Sequence, residues 1–130
     1  MATTLTNPVV VSAIEGADPV MVTASVLVDP GNPLFAGHYP GFPIFPGVCL
    51  IECVHRSVLG AAEARGRWLA LDQVRSTKFL APAFPGDRLT AIVRITDRDG
   101  GWDCDGQVRR DDQDLAKVRL RYRQAAEVSQ

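Results

Sequence analysis

Hydrophobic and polar positions change period several times along this chain, and each change marks an element. Val9 to Ile14 is a short apolar run that closes at Gly16-Ala17-Asp18-Pro19, a turn sequence. Beyond it, Val20, Val22, Ala24, Val26 and Val28 alternate with Met21, Thr23, Ser25 and Leu27, the two-residue period of a strand. From Asp29 to Gly47 the chain is dense in proline and glycine, which excludes regular helix or a central strand because proline removes donors and fixes φ. The same stretch carries Leu34, Phe35, Tyr39, Phe42, Ile44 and Phe45, which favour burial. It is expected to form a rigid, buried, irregular loop, the kind of segment that holds functional groups on a stiff scaffold.

Pro46 suits the first turn of a helix, predicted to run to about Arg65 with Gly66 as its C-terminal cap. At helical spacing Leu50, Ile51, Val54, Val58, Leu59 and Ala62 form a broad apolar face, with Glu52, Arg56 and Glu63 on its flank. Cys49, Cys53 and Gly60 make a narrow strip of small residues that allows another backbone to approach closely. Four strand-like segments follow. Arg67 to Thr77 is apolar on both faces near its start (Trp68, Leu69, Ala70, Leu71), as expected of a central strand. Arg88 to Asp97 alternates with Leu89, Ala91, Val93 and Ile95 inward, and Asp99-Gly100-Gly101 is a hairpin turn into Trp102 to Arg110. Asp111 to Asp114 turns again into Leu115 to Arg123, where Ala116, Val118, Leu120 and Tyr122 face in. Two strands, one long helix and a four-stranded meander resolve most simply as α+β, an antiparallel sheet wrapped around one helix.

Bulk properties narrow the function classes. At 130 residues the chain is read as a single domain, 1–130, with residues 1–7 polar and frayed. A formal net charge of −1 argues against a nucleic-acid partner. No run approaches the roughly 18 to 20 apolar residues of a membrane span, and the first residues lack a leader pattern. The odd cysteine count (Cys49, Cys53, Cys104) does not read as a disulfide framework. Together these point to a cytoplasmic protein. Cys49 and Cys53, one helical turn apart, raise a zinc site with His55, but a fourth ligand is missing and His55 points elsewhere. No metal is expected, and His55 is read as a hydrogen-bonded structural residue.

Gly37-His38-Tyr39-Pro40, Pro43, Pro46-Gly47-Val48 and Ile51-Glu52 resemble the signature of β-hydroxyacyl-acyl-carrier-protein dehydratases. Lys78-Phe79-Leu80-Ala81-Pro82 and Pro85-Gly86-Asp87-Arg88-Leu89 resemble that family's second block, and the spacing from His38 to Glu52 matches it. The resemblance implies a hotdog fold, with about five to six strands around a long central helix. It also implies a dehydratase of fatty-acid or polyketide-type biosynthesis, and an active site at a dimer interface with His38 from one protomer and Glu52 from the other. The acyl chain would ride on the phosphopantetheine arm of an acyl carrier protein, with no other cofactor.

The chemistry explains the residue types. Loss of water across Cα–Cβ of a thioester needs a base for the Cα proton and an acid for the leaving hydroxyl. His38, with an ordinary pKa of about 6.5, suits the base; Glu52 suits the acid once burial raises it. The N–H of Gly47, with Val48, is the expected oxyanion site at the helix N-terminus. Asp87 is expected to cap backbone groups in a turn. Arg65, Arg67, Arg75 and Lys78 either steer an acidic carrier protein or are ordinary solvated surface.

Three departures from the family pattern matter: Arg56 stands where glutamine is usual, Tyr39 replaces phenylalanine, and an N-terminal His-Arg-Tyr-Pro segment is lacking. Arg56 either pairs with Glu52, favouring its carboxylate and weakening it as an acid, or points outward for docking. These departures favour a specialised polyketide or polyene setting. Two other functions compete: thioester hydrolysis on the same fold, and a non-catalytic subunit of a heteromeric dehydratase.

Overall fold

A computed structural model describes residues 9–29, 31 and 47–125. Within them the chain forms β1 (Val10–Glu15), β2 (Val20–Leu27), α1 (Gly47–Ala64), β3 (Leu69–Phe79), β4 (Arg88–Arg98), β5 (Gly101–Arg110) and β6 (Gln113–Gln124). The strands make one antiparallel sheet in the order β1-β2-β4-β5-β6-β3. The helix touches every strand, the hotdog arrangement that the sequence implied. The expected irregular loop lies almost wholly outside the described residues, as does the frayed N-terminus.

Alternation fixes which sheet face is covered. Val20, Val22, Ala24 and Val26 on β2 and Leu89, Ala91, Val93 and Ile95 on β4 point inward and are buried. Trp102, Cys104 and Val108 on β5 and Ala116, Val118, Leu120 and Tyr122 on β6 do the same. Against them the helix lays Cys49, Leu50, Cys53, Val54, Ser57, Val58, Ala61 and Ala62, all buried. Each fully buried valine or leucine here is worth about 1.5–3 kcal/mol. Ser57, the one buried polar side chain of the described core, donates its hydroxyl to the Cys53 carbonyl at 2.7 Å.

Turn chemistry joins the elements. Gly66, at φ +65°, ends α1: its N–H reaches the Glu63 carbonyl while Arg67 N–H reaches the Ala62 carbonyl at 2.8 Å. Asp99 and Gly100 take positive φ to close the hairpin between β4 and β5, where Arg98 pairs with Gly101. Asp87 accepts from Phe84 N–H at 2.8 Å, the predicted capping role, and is also held by Arg110 at 2.6 Å.

Two sequence expectations need correction. The segment beginning at Trp68 is an edge strand, not a central one: β3 pairs only with β6, and its residues from Leu71 onward are exposed. Its apolar run reflects an uncovered edge, where Leu71, Val74 and Phe79 keep 39%, 46% and 52% of their surface. Leu59, assigned to the apolar face, lies on the helix flank that the sheet leaves open. The small-residue strip faces the chain's own sheet: Cys49 and Cys53 are in the core, and a Cβ on Gly60 would lie 2.9 Å from the Val11 side chain of β1.

One close approach went unnoticed in the sequence. A Cβ on Gly106 would stand 2.6 Å from Val54 Cγ1 and 3.0 Å from its Cγ2, so the glycine is what lets α1 lie against β5. Val54 is β-branched and stiff, so it has no rotamer into which to yield. Gly106→Val is therefore expected to lower unfolding free energy by about 1–3 kcal/mol. Denaturant unfolding checks this; an unchanged midpoint would show that the crossing has slack.

Candidate functional site

The helix N-terminus meets the second motif block in space. Gly47 and Val48 open α1 with backbone N–H groups that have no partner inside the helix, where the dipole favours negative charge. Over Gly47 lies the ring of Phe79, whose Cζ would be 2.9 Å from any Cβ at that position. Gly47, Val48 and Leu50 from the helix, with Phe79, Leu80, Ala81 and Pro82 from the end of β3 and its following turn, line an apolar cavity of about 590 Å³. The two sequence blocks thus form opposite walls of one cavity.

Glu52 lies one helical turn beyond Val48, on the same side of α1. This is the flank the sheet does not cover: Val48 and Leu59 are exposed, and Ile51, Glu52, His55 and Arg56 are half-buried. Of the two orientations open to Arg56, the structure adopts the pair. Arg56 Nε donates to Glu52 Oε2 at 3.0 Å, with about a quarter of each side chain exposed. Gly47, Val48, Glu52 and Arg56 are therefore brought together along one helix. His38, with Tyr39 and Pro40, lies outside the described residues.

Beside the ion pair sits a contact that needed tertiary structure to find. The rings of His55 and Tyr122 are nearly parallel, 6° apart with centroids at 5.7 Å, and His55 Nδ1 is 2.6 Å from the phenol oxygen. Burial pushes the Tyr122 hydroxyl above its ordinary range, with Cys104 and Glu52 adding to the effect, so it stays protonated and donates. His55 Nδ1 then accepts, and Nε2 carries the ring proton. Burial lowers the His55 pKa below the ordinary 6.5; Glu52 opposes this and Arg56 reinforces it. Sequence reading expected a hydrogen-bonded structural histidine here, and the bond is present; its partner, 67 residues away, left no local trace.

Two of the cysteines, Cys53 and Cys104, are held as thiols. Burial, first among the causes, pushes the thiols of Cys53 and Cys104 up to about 12, which keeps them protonated. Among the described residues no cluster of three or more histidine, cysteine or acidic side chains is placed to hold a metal. No described helix is long and apolar enough to cross a membrane.

Comparison with known proteins follows the same residues. Residues 15–119 match the model of the ApeI-like family, described as ApeI dehydratase. The chain is 34% identical over 94 residues to the 3-hydroxyacyl-acyl-carrier-protein dehydratase FabZ of Thermotoga maritima, covering 68% of this chain and 66% of that one. It spans about half to two thirds of the length of most of the curated relatives it matches. Among solved structures, the dehydratase heterocomplex ApeI:P of Xenorhabdus doucetiae superposes with a TM-score of 0.64 at 21% identity, covering 90% of this chain and 99% of that chain. The fluoroacetyl-CoA thioesterase FlK superposes with a TM-score of 0.69 at 12% identity, covering 83% and 88%. At such identities the likeness is one of fold.

The His55 environment carries a pH signature. Its folded pKa is depressed, so the unfolded chain binds the proton more readily and stability rises with pH across the window below about 6.5. Unfolding free energy is expected to be fully present above that value and to fall as pH drops through it. His55→Gln, which can still accept from Tyr122, should flatten this slope; a slope identical to the parent's between pH 7 and 5.5 contradicts the assignment.

Proposed function

The chain belongs to the ApeI-like dehydratase family, and from that premise we propose that it removes water from a β-hydroxyacyl thioester carried on an acyl carrier protein. The observation that carries this reading is the placement of Glu52 on the open flank of α1, one turn inside a glycine-opened N-terminus that walls an apolar cavity. A thioester with its carbonyl at Gly47 puts its acyl chain along Phe79 and Leu80. It then offers its β-hydroxyl towards the next turn of the helix.

In this reading His38 takes the Cα proton, and the electrons of that C–H bond move towards the thioester carbonyl. The N–H groups of Gly47 and Val48 meet the negative charge on its oxygen. As the charge returns, the Cα=Cβ bond forms and the Cβ–O bond breaks. Glu52 supplies the proton that lets the hydroxyl leave as water. Afterwards His38 holds one proton more and Glu52 one fewer, and transfer through solvent resets the site. Arg56 occupies Oε2 in the resting pair, so the proton is delivered from the other carboxyl oxygen or after Arg56 swings away.

The exposed edge of β3, with Leu71, Val74 and Phe79 uncovered, supports a dimer in which a second chain, identical or related, covers that edge and completes the site with its His38. We assign the activity to fatty-acid or polyketide-type biosynthesis, with arginine at position 56 favouring a specialised branch. The same arginine favours a second reading, a non-catalytic subunit of a heteromeric dehydratase, because the ion pair engages the acid that catalysis needs.

Mass spectrometry of a 3-hydroxyacyl-loaded carrier protein separates these readings. Loss of one water from the acyl group is expected, slowed about 10²–10⁴-fold in Glu52→Gln and in His38→Ala, since each removes one proton-transfer group. Arg56→Gln should retain turnover. Free acid and free carrier thiol as the main products would establish hydrolysis instead. Activity that emerges only on mixing with a related chain, and survives Glu52→Gln, would establish the non-catalytic subunit.

A further inference from the structure

Tyr122 engages only one of the two ring nitrogens of His55. The phenol donates to Nδ1 at 2.6 Å from a fully buried position on β6, and the bond fixes both the tautomer and the plane of the ring. The ring proton is thereby held on Nε2, and among the described residues nothing accepts from it. Glu52 is in the complementary state. Arg56 holds its Oε2 at 3.0 Å, and among the described residues nothing donates to its other oxygen. A half-buried donor and a half-buried acceptor are thus left without a described protein partner on one helix flank.

Helical geometry sets the two groups side by side. At about 100° per residue, His55 leaves α1 about 60° to one side of Glu52 and Arg56 about 40° to the other. The carboxyl stands between a guanidinium that has taken one oxygen and an imidazole that has taken none. Residues three apart on a helix have Cβ atoms about 5–6 Å apart. One oxygen atom can bridge two such side chains with hydrogen bonds of about 2.7–3.0 Å. The charge of Glu52 acts on both His55 and Tyr122, as this closeness requires. Burial holds the imidazole neutral, so its Nε2–H is a donor that sets no second positive charge against the carboxyl.

We propose that His55 Nε2–H is a second donor to the leaving oxygen: it hydrogen-bonds the β-hydroxyl of the substrate while Glu52 protonates it, and Tyr122 is the positioning residue that holds the ring in the required tautomer. This rests on the dehydratase reading and adds two residues to the site. When the Cβ–O bond breaks, its electron pair goes to the oxygen, which takes the Glu52 proton and leaves as water. His55 keeps its proton throughout and stabilises the negative charge that gathers on that oxygen.

The test compares two substrates that differ only in the group lost from Cβ, the 3-hydroxybutyryl and 3-chlorobutyryl thioesters of N-acetylcysteamine. The full chain is mixed with each, and absorbance follows the crotonyl thioester formed. Both reactions need a base at Cα, but chloride leaves with its electron pair and needs no proton. His55→Phe keeps a ring against Tyr122 and has no donor. It should lower kcat for loss of water about 10–100-fold with KM little changed, and slow loss of chloride less than about threefold. His55→Gln accepts from Tyr122 and donates from its amide, so it should restore water loss to within about fivefold of the parent. Tyr122→Phe should fall between the parent and His55→Phe, because an unlocked ring spends part of its time as the Nδ1–H tautomer with no donor at Nε2. Equal slowing of both substrates in His55→Phe assigns the histidine to the fold and overturns the proposal. Unchanged water loss in that variant does the same, as does a His55→Gln chain as slow as His55→Phe. A parent chain that hydrolyses the thioester without forming the double bond overturns the dehydratase reading and this proposal together. Dehydration by the parent combined with any of the three earlier results overturns the His55 role alone.

Discussion

The depth at which α1 lies against β5 sets everything else in this molecule. Val54 occupies the room that a side chain on Gly106 would need, and Val58 and Tyr122 are buried in the same core. Had the helix been held further out, the row of valines and alanines lining the sheet would have left voids, which protein interiors do not tolerate cheaply. Because the helix sits so low, the six described strands cover one side of it, and none of them covers the flank that bears Val48, Glu52, Arg56 and Leu59. The packing constraint that makes the core is also the one that leaves the candidate site open.

That open flank explains why polar groups tolerate their positions. Glu52 and Arg56 satisfy one another while keeping contact with solvent, so neither incurs the full desolvation of a buried charge. His55, one residue before Arg56, turns towards the core and meets the only kind of partner a neutral imidazole needs there, a phenol that remains protonated. The flank is thus graded from core to solvent over a single helical turn. Reaction chemistry on such a flank requires that whatever covers it, substrate or second subunit, exclude water without stripping the carboxylate of its hydrogen bond.

The outer face of the sheet works by the opposite logic. Alternation along each strand assigns every second residue to it, and its polar composition costs nothing in the core. Acids stand on the central strand β5, and cations flank them on β4 and β6, so Asp103 binds Arg121 at 3.3 Å and Arg98 at 3.4 Å. Only near the end of β3 does the balance fail, where lysine meets lysine. Edge strands commonly carry lysine to discourage pairing with other chains, and this accounts for Lys78 but not for Lys117 on an interior strand.

Much of the architecture was written in local patterns. Two-residue alternation placed β2, β4 and β6 and their inward faces, because a sheet with one wet face imposes that period. The helix boundaries followed from the glycine past its end and the apolar spacing within it, and the motif blocks named Gly47, Val48, Glu52 and the turn at Asp87. What the sequence could not decide were matters of which surfaces meet. The apolar start of β3 reads alike for a buried centre and an uncovered edge, since composition reports a wish for burial and not its fulfilment. Arg56 had two orientations of equal local merit, and packing selected the ion pair. The partnership of His55 with Tyr122, and the collision that Gly106 avoids, join residues from distant parts of the chain. Such contacts exist only once the sheet has closed round the helix, so the sequence determined the elements and their faces, and tertiary structure decided which side chains became neighbours.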